Sequence, residues 1–281
     1  GSLDLTLSTT GEWPAAGTFD HGSASTLVMS GTGTINFIDD EELYNLTTSG
    51  TTTLKGITST ADLRLNNTLN ASGTLSSTAS ETIMLLTGST VGIGTAGTSI
   101  ANLHKLRCRP ASGTVSIPAC TTERISAETN GATTQATGDL IITQELEVNG
   151  SHTFNANGNT ATVKKVDINN TATLNLANST MTFTSVLADA WNMISGSILL
   201  TGNTTINGYL TSDHTPITLP EAGGFEVVGD IKWLKAASGT DLTVIGSVTN
   251  CSFADSTANI RQWHHTLDTQ QLLDADSAGD D

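Results

Sequence analysis

From residue 140 to residue 183 the chain reads L-I-I-T-Q-E-L-E-V-N-G-S-H-T-F-N-A-N-G-N-T-A-T-V-K-K-V-D-I-N-N-T-A-T-L-N-L-A-N-S-T-M-T-F. Short apolar alternations such as Leu146-Glu147-Val148, Ala161-Thr162-Val163, Val166-Asp167-Ile168 and Leu174-Asn175-Leu176 are separated by Asn and Gly. The period of two within each run marks strands with one face turned inward. The Asn149-Gly150 and Asn157-Gly158 pairs supply corners, because Asn and Gly adopt positive φ at little steric cost. Working outward with Leu140, Val163, Met181, Leu200, Leu219 and Leu242 as markers, the steps are 23, 18, 19, 19 and 23 residues. A period near 20 that wanders by a few residues, with about three short strands in each period, describes the coil of a parallel β-helix with corner loops of variable length. The same Asn-Gly pairs, here and at Asn207-Gly208, also suit antiparallel hairpins, so a β-sandwich or jelly roll is the structural rival. The apolar runs are short and closely spaced for sandwich strands, which favours the solenoid.

Composition agrees. The 281 residues include 50 Thr, 27 Ser, 27 Gly and 20 Asn, together 44 % of the chain. Each costs roughly 0.4 to 1 kcal/mol relative to Ala inside a helix, so a helical bundle is excluded. Apolar residues at 37 % still supply a core, and Thr fits a pleated strand because its branched Cβ packs well there. The formal charge is −16, from 27 acidic and 11 basic residues. That sign opposes phosphates and anionic headgroups, which argues against nucleic acid and membrane surfaces as partners. The longest apolar runs, Ile83 to Leu86 and Ile198 to Leu200, fall far short of the roughly 20 residues that a membrane span needs. The Gly1-Ser2 start reads as a processing scar.

The stretch from Trp13 to Gly50 opens W-P-A-A-G-T-F-D-H-G, continues V-M-S-G-T-G-T-I-N-F at 28–37 and ends in the Leu43-Tyr44-Asn45-Leu46-Thr47 strand. It resembles the repeat modules of bacterial surface proteins and phage virion proteins with right-handed parallel β-helix folds. G-D-L-I-I-T at 138–143 and T-A-T-L-N-L-A-N-S-T at 171–180 resemble the same coils. The likeness implies an all-β right-handed solenoid and an extracellular setting on a virion or cell surface. It is a likeness of repeat style and carries no catalytic signature. The pattern departs from it near 104–120 and after Cys251, so the expected organisation is a solenoid body over 1–254, with an irregular insertion near 104–120, and a C-terminal cap or assembly tail over 255–281. In that tail Ile260, Trp263 and Leu267 share a face if a short helix forms after Ser256, and irregular strands are the alternative. In either form Trp263 is expected to cover the end of the core.

Candidate chemistry is sparse. Asp39, Asp40, Glu41 and Glu42 form the densest acidic cluster, which reads either as a solvated loop or as a calcium or carboxylate-pair site. No D-x-[DN]-x-[DN]-G repeat accompanies it, and no H-E-x-x-H, G-x-S-x-G or paired Cys and His spacing occurs, so no catalytic residue, cofactor or metal is assigned. Asp189 and Asp213 lie beside Trp191 and His214 as in carbohydrate clefts, although corner turns account for both. Cys108 and Cys120 either close a short disulfide loop or are buried free thiols. The one basic cluster, His104, Lys105, Arg107 and Arg109, reads as a solvated loop or as a docking patch for an acidic surface on another subunit. Asp39 to Glu42 and the acidic terminus from Asp274 to Asp281 are its candidate complements. The function expected is a non-enzymatic structural or adhesive protein, present in multiple copies, whose partners are copies of itself, other surface or virion subunits, or glycans. A tailspike-like polysaccharide-degrading enzyme is the alternative, disfavoured by 4 % aromatic residues and few Lys and Arg.

Overall fold

The structure, a computed structural model, describes residues 5–7, 11–13, 25–37, 41–56, 61–78, 82–85, 90–92, 99–100, 103–129, 131–184, 191–193, 197–199, 204–207, 217–218, 223–228, 231–232, 234–236, 240–245, 248–249, 252–253 and 259–262. Among them every assigned element is a β-strand and every strand pair is parallel, so the chain is a β-solenoid of stacked coils of about 20 residues. It divides into two compact units, 1–143 and 144–281.

In the N-terminal unit one sheet runs through Leu5–Leu7, Thr26–Met29, Glu41–Thr48, Asp62–Ala71, Thr82–Leu85, Leu103–Cys108 and Cys120–Glu128. The register joins Leu5 to Leu27, Leu27 to Leu46, Leu46 to Leu69, Leu63 to Ile83, Ile83 to Leu106 and Leu106 to Ile125. Aliphatic residues thus stack on aliphatic residues one coil away in two columns, Leu27, Leu46 and Leu69 in one and Leu63, Ile83, Leu106 and Ile125 in the other, and both are buried. A second sheet, Gly11–Trp13, Gly33–Phe37, Thr51–Gly56, Thr74–Ser77 and Ser99–Ile100, adds Ile35 and Leu54 to the same core. A third joins Thr90–Gly92, Gly113–Ile117 and Ala132–Ala136. The C-terminal unit repeats the scheme: Thr160–Ile168 pairs Thr180–Phe183, which leads through Thr204–Asn207, Gly223–Val228 and Thr240–Ile245 to Asn259–Gln262. Thr153–Asn155, Thr173–Asn175 and Ser197–Leu199 form its second face, around buried Phe154 and Leu174.

Two boundaries differ from the sequence expectation. Residues 104–120 are regular coil: Lys105 pairs Thr82 on one side and Arg124 on the other, and Val115 pairs Val91 and Thr134. Basic residues and cysteines interrupt the Thr-rich style there, yet Leu103, Leu106, Val115 and Ile117 keep the inward positions filled, and burial decides the fold. The ladder also continues past residue 254. Asn259–Gln262 is a strand in which Ile260 pairs Leu242, so a helix does not span these positions. Trp263, Leu267 and the acidic terminus lie outside the described residues.

Corners use the residues the sequence proposes. Gly150 and Gly158 have φ of 76° and 77°, and Asn157, Asn170 and Asn178 have φ of 53°, 61° and 54°. Two successive coils close their corners identically: the Asn157 amide donates to Asn155 Oδ1 at 2.9 Å, and the Ala177 amide to Asn175 Oδ1 at 3.0 Å. In the N-terminal unit, backbone bonds continue around the corner, as where the Thr74 amide donates to the Gly50 carbonyl at 2.9 Å. Coils approach so closely there that a Cβ on Gly50 would lie 2.0 Å from the Gly31 oxygen, and one on Gly73 would lie 2.0 Å from the Gly50 oxygen. Beside this corner the Thr48 and Thr52 hydroxyls are buried and find no hydrogen-bond partner among the described residues.

These contacts set opposite expectations for two neighbouring substitutions in urea denaturation. Gly50→Ala should lose more than about 2 kcal/mol, because backbone must move to admit the methyl group. Thr52→Val should be neutral or stabilising by up to about 1 kcal/mol, because it removes an unsatisfied buried hydroxyl at constant shape.

Candidate functional site

Along the first sheet several strands turn a corner where consecutive half-buried or exposed residues lie between two buried ones. In the N-terminal unit these are Tyr44-Asn45 between Leu43 and Leu46, Asn66-Asn67-Thr68 between Leu65 and Leu69, His104-Lys105 between Leu103 and Leu106, and Glu123-Arg124 between Thr122 and Ile125. In the C-terminal unit Lys164-Lys165 lies between Val163 and Val166. Because coils stack in parallel register, side chains at this corner form a column in each unit and bond from coil to coil. Asn67 Nδ2 and Thr68 Oγ1 both donate to Asn45 Oδ1, at 2.8 and 2.7 Å, and Asn45 Nδ2 donates to Thr26 Oγ1 at 3.3 Å.

The basic cluster belongs to this column. His104 Nδ1 lies 3.0 Å from Glu123 Oε2, and its backbone amide donates to Ser77 Oγ at 2.9 Å. Three residues on, Arg107 places Nη2 2.7 Å from Glu128 Oε2 and Nη1 3.3 Å from Asp62 Oδ2, and Lys105 Nζ lies 3.7 Å from Glu128 Oε1. Arg107 and its two partners span the strands Asp62–Ala71, Thr82–Leu85, Leu103–Cys108 and Cys120–Glu128. Burial of the Glu128 carboxyl would raise its pKa. Hydrogen bonds from Arg107 and Ser126, with the charges of Arg107 and Lys105, outweigh that and hold it below the ordinary carboxylate value. In the C-terminal unit Lys165 Nζ lies 2.9 Å from Glu145 and 3.5 Å from Asp167, and the Glu145 hydrogen bond chiefly raises the Lys165 pKa.

The four basic candidates therefore divide. Lys105 and Arg107 are satisfied inside the chain and His104 is hydrogen-bonded to Glu123, while Arg109, at the turn after the strand, is exposed. This corrects the loop reading of the cluster, since all but Arg109 lie within a central strand. Asp62, Glu123 and Glu128 complete the network although nothing in their local sequence marks them. Of the acidic cluster, Glu41 and Glu42 are strand residues in register with Leu63 and Arg64, and Glu41 is only 7 % exposed, which replaces the solvated loop. Asp39 and Asp40 lie outside the described residues, as do Asp189 and Asp213. Among the described residues no three His, Cys, Asp or Glu side chains come together as a metal site requires.

The chain matches no family model, no curated protein and no solved structure. Its chemistry is therefore argued from its own residues.

Cys108 and Cys120 are free and buried, which resolves the alternative in favour of thiols. Burial pushes both up to about 12; for Cys108 a hydrogen bond with Thr134 opposes the rise, and nearby Cys120 and Glu128 add to it. A thiol so far from ionisation is a poor nucleophile.

Arg107→Ala should cost about 1 to 3 kcal/mol in urea denaturation, because it strands the Glu128 carboxylate beside the core. Arg109→Ala should stay within about 0.5 kcal/mol. For the cysteines, the folded pKa lies above the unfolded value of about 8.5, so the stability they contribute is complete below that pH and is lost as pH rises toward 12. A thiol-reactive dye at neutral pH should label Cys108 and Cys120 only after denaturation; rapid labelling of the native chain at either position contradicts their burial.

Proposed function

We propose that the chain is a non-enzymatic structural or adhesive solenoid, displayed in multiple copies at a virion or cell surface, which mediates assembly or attachment. The observation that carries this reading is the segregation of charge. Among the described residues, most ionisable residues lie on the first sheet and its corner, where neighbouring coils pair many of them, while Glu12 and Lys55 lie on the second sheet. The strands Gly113–Ile117 and Ala132–Ala136 of the N-terminal unit contain no Asp, Glu, Lys or Arg, and neither do Thr153–Asn155 and Thr173–Asn175 of the C-terminal unit. Their solvent-side residues are Thr114, Ser116, Thr133 and Gln135 in one unit and Thr153, Asn155, Thr173 and Asn175 in the other. In a chain of charge −16, copies repel one another least where a face is neutral, and hydroxyl and carboxamide groups donate and accept hydrogen bonds equally well with a second copy or a glycan. The partner surface thus moves from the basic cluster, whose charges are engaged internally, to the neutral faces.

Light scattering and electron microscopy of the full chain test this directly. Oligomers or filaments are expected to disperse when Thr114→Glu and Thr133→Glu place charge on the neutral strands, with circular dichroism unchanged, and to persist in Arg109→Glu. A reducing-sugar assay on bacterial and algal polysaccharides should show no turnover. Turnover abolished by Asp189→Asn or Asp213→Asn would establish the enzyme instead.

A further inference from the structure

Two Asn-Gly pairs sit at corners of consecutive strands in the C-terminal unit, identical in sequence and different in environment. At the first, the Gly150 backbone nitrogen donates to Asn149 Oδ1 at 2.7 Å, an interaction between adjacent residues that folds the carboxamide back onto the following amide. One carbonyl bond further, this puts Asn149 Cγ no more than about 3.9 Å from that nitrogen, close to the separation of reacting atoms in a productive conformer. The same Oδ1 accepts a second hydrogen bond from Asn170 Nδ2, one coil away. Gly150 has φ of 76° and no Cβ, so nothing on its own residue obstructs the approach. At the second pair, the Gly158 amide instead donates to Ser179 Oγ at 2.9 Å, and Asn157 is held in the left-handed region with φ of 53°.

We infer that Asn149 is a site of spontaneous self-modification, converting to aspartate and isoaspartate through a succinimide, and that the fold singles it out from Asn157. The Gly150 nitrogen attacks Asn149 Cγ, its proton passes to hydroxide or water, and a new N–Cγ bond closes a five-membered ring. The negative charge that develops on Oδ1 is stabilised by the Asn170 N–H already directed at it. The tetrahedral carbon then expels the side-chain nitrogen, which leaves with a proton as ammonia. Water adds to one of the two ring carbonyls and breaks its bond to nitrogen, leaving aspartate when the side-chain carbonyl opens and isoaspartate when the main-chain carbonyl opens. One water enters and one ammonia leaves, with no oxidant or reductant. At Gly158 the amide is directed at Ser179 Oγ, and no such bond brings it toward its own Asn157 carboxamide. The product adds a negative charge at Asn149. In the isoaspartate form it also adds a main-chain carbon at a corner bonded to the next coil by the Thr171 amide to the Gly150 carbonyl at 2.9 Å and the Asn169 amide to the Val148 carbonyl at 3.0 Å.

The test compares the two sites in one molecule. The full chain is incubated at mildly alkaline pH in heavy-oxygen water, natively and in urea, and peptides covering positions 149 and 157 are quantified over time by electron-transfer mass spectrometry. In the native chain Asn149 should convert at least about tenfold faster than Asn157, the ratio given by about 1.4 kcal/mol of barrier, with heavy oxygen incorporated and isoaspartate present. In urea the two sites should convert at similar rates, because both are Asn-Gly pairs. Asn170→Ala, checked for native circular dichroism, should slow native conversion at Asn149 by about three- to tenfold, less than the loss of a donor in a buried oxyanion site, and leave Asn157 unchanged. Native Asn157 keeping pace with Asn149, or a native Asn170→Ala variant in which Asn149 converts at the original rate, would overturn the assignment.

Discussion

Hydrogen bonding between consecutive parallel coils is the constraint from which the rest follows. It ties each residue to the one about 20 positions away, so whatever a residue does sideways, it does with a partner one coil length distant. Leu27 stacks on Leu46, Asn45 holds Thr68, and Arg107 grips Glu128 through this one translation. A parallel sheet offers no local partner, since every connection must travel around the coil before returning. The same requirement makes Gly50 and Gly73 necessary, because the translation brings backbone against backbone at that corner.

The solenoid turns an acidic composition into an ordered surface. Polar and charged groups placed at the first-sheet corner meet partners from neighbouring coils, as where His104 bonds Glu123 and Lys165 pairs with Glu145. Each such contact is partly exposed and modest on its own, and two carboxylates converge on both Arg107 and Lys165. The strands Gly113–Ile117, Ala132–Ala136, Thr153–Asn155 and Thr173–Asn175 carry no charge, so the paired charges and these neutral strands occupy different sheets. The left-handed corners add a second consequence, since the fold that needs Asn and Gly there also decides which Asn-Gly pair is brought into reactive geometry.

Much of the fold was legible because its determinants are local. Alternation at Thr160 to Val163 and Thr180 to Phe183, and the positive-φ residues at 150, 157 and 158, announce strands and corners without knowledge of any neighbour. The segment 104–120 misled because His, Lys, Arg and Cys broke the Thr-rich style, although style belongs to the solvent side and register to the buried side. A signal for the missed partners did exist: Glu123 follows His104 by 19 residues, Glu128 follows Arg107 by 21, and Glu145 precedes Lys165 by 20. Opposite charges at the coil period mark bonded pairs, but the period varies from coil to coil, and an error of one residue turns a side chain to the other face.

By itself, then, the sequence determined an all-β chain and favoured a parallel solenoid with coils of about 20 residues over a β-sandwich, because the apolar alternations are short and closely spaced between Asn and Gly corners. Only the tertiary structure decided that Lys105 and Arg107 are paired within the chain while Arg109 is exposed, that Glu41 lies in a strand and not a loop, that Cys108 and Cys120 are buried thiols, and that Asn149 and Asn157 differ. Each of those depends on which residue lies one coil away, and stacking sets that distance in space while loop lengths hide it along the chain.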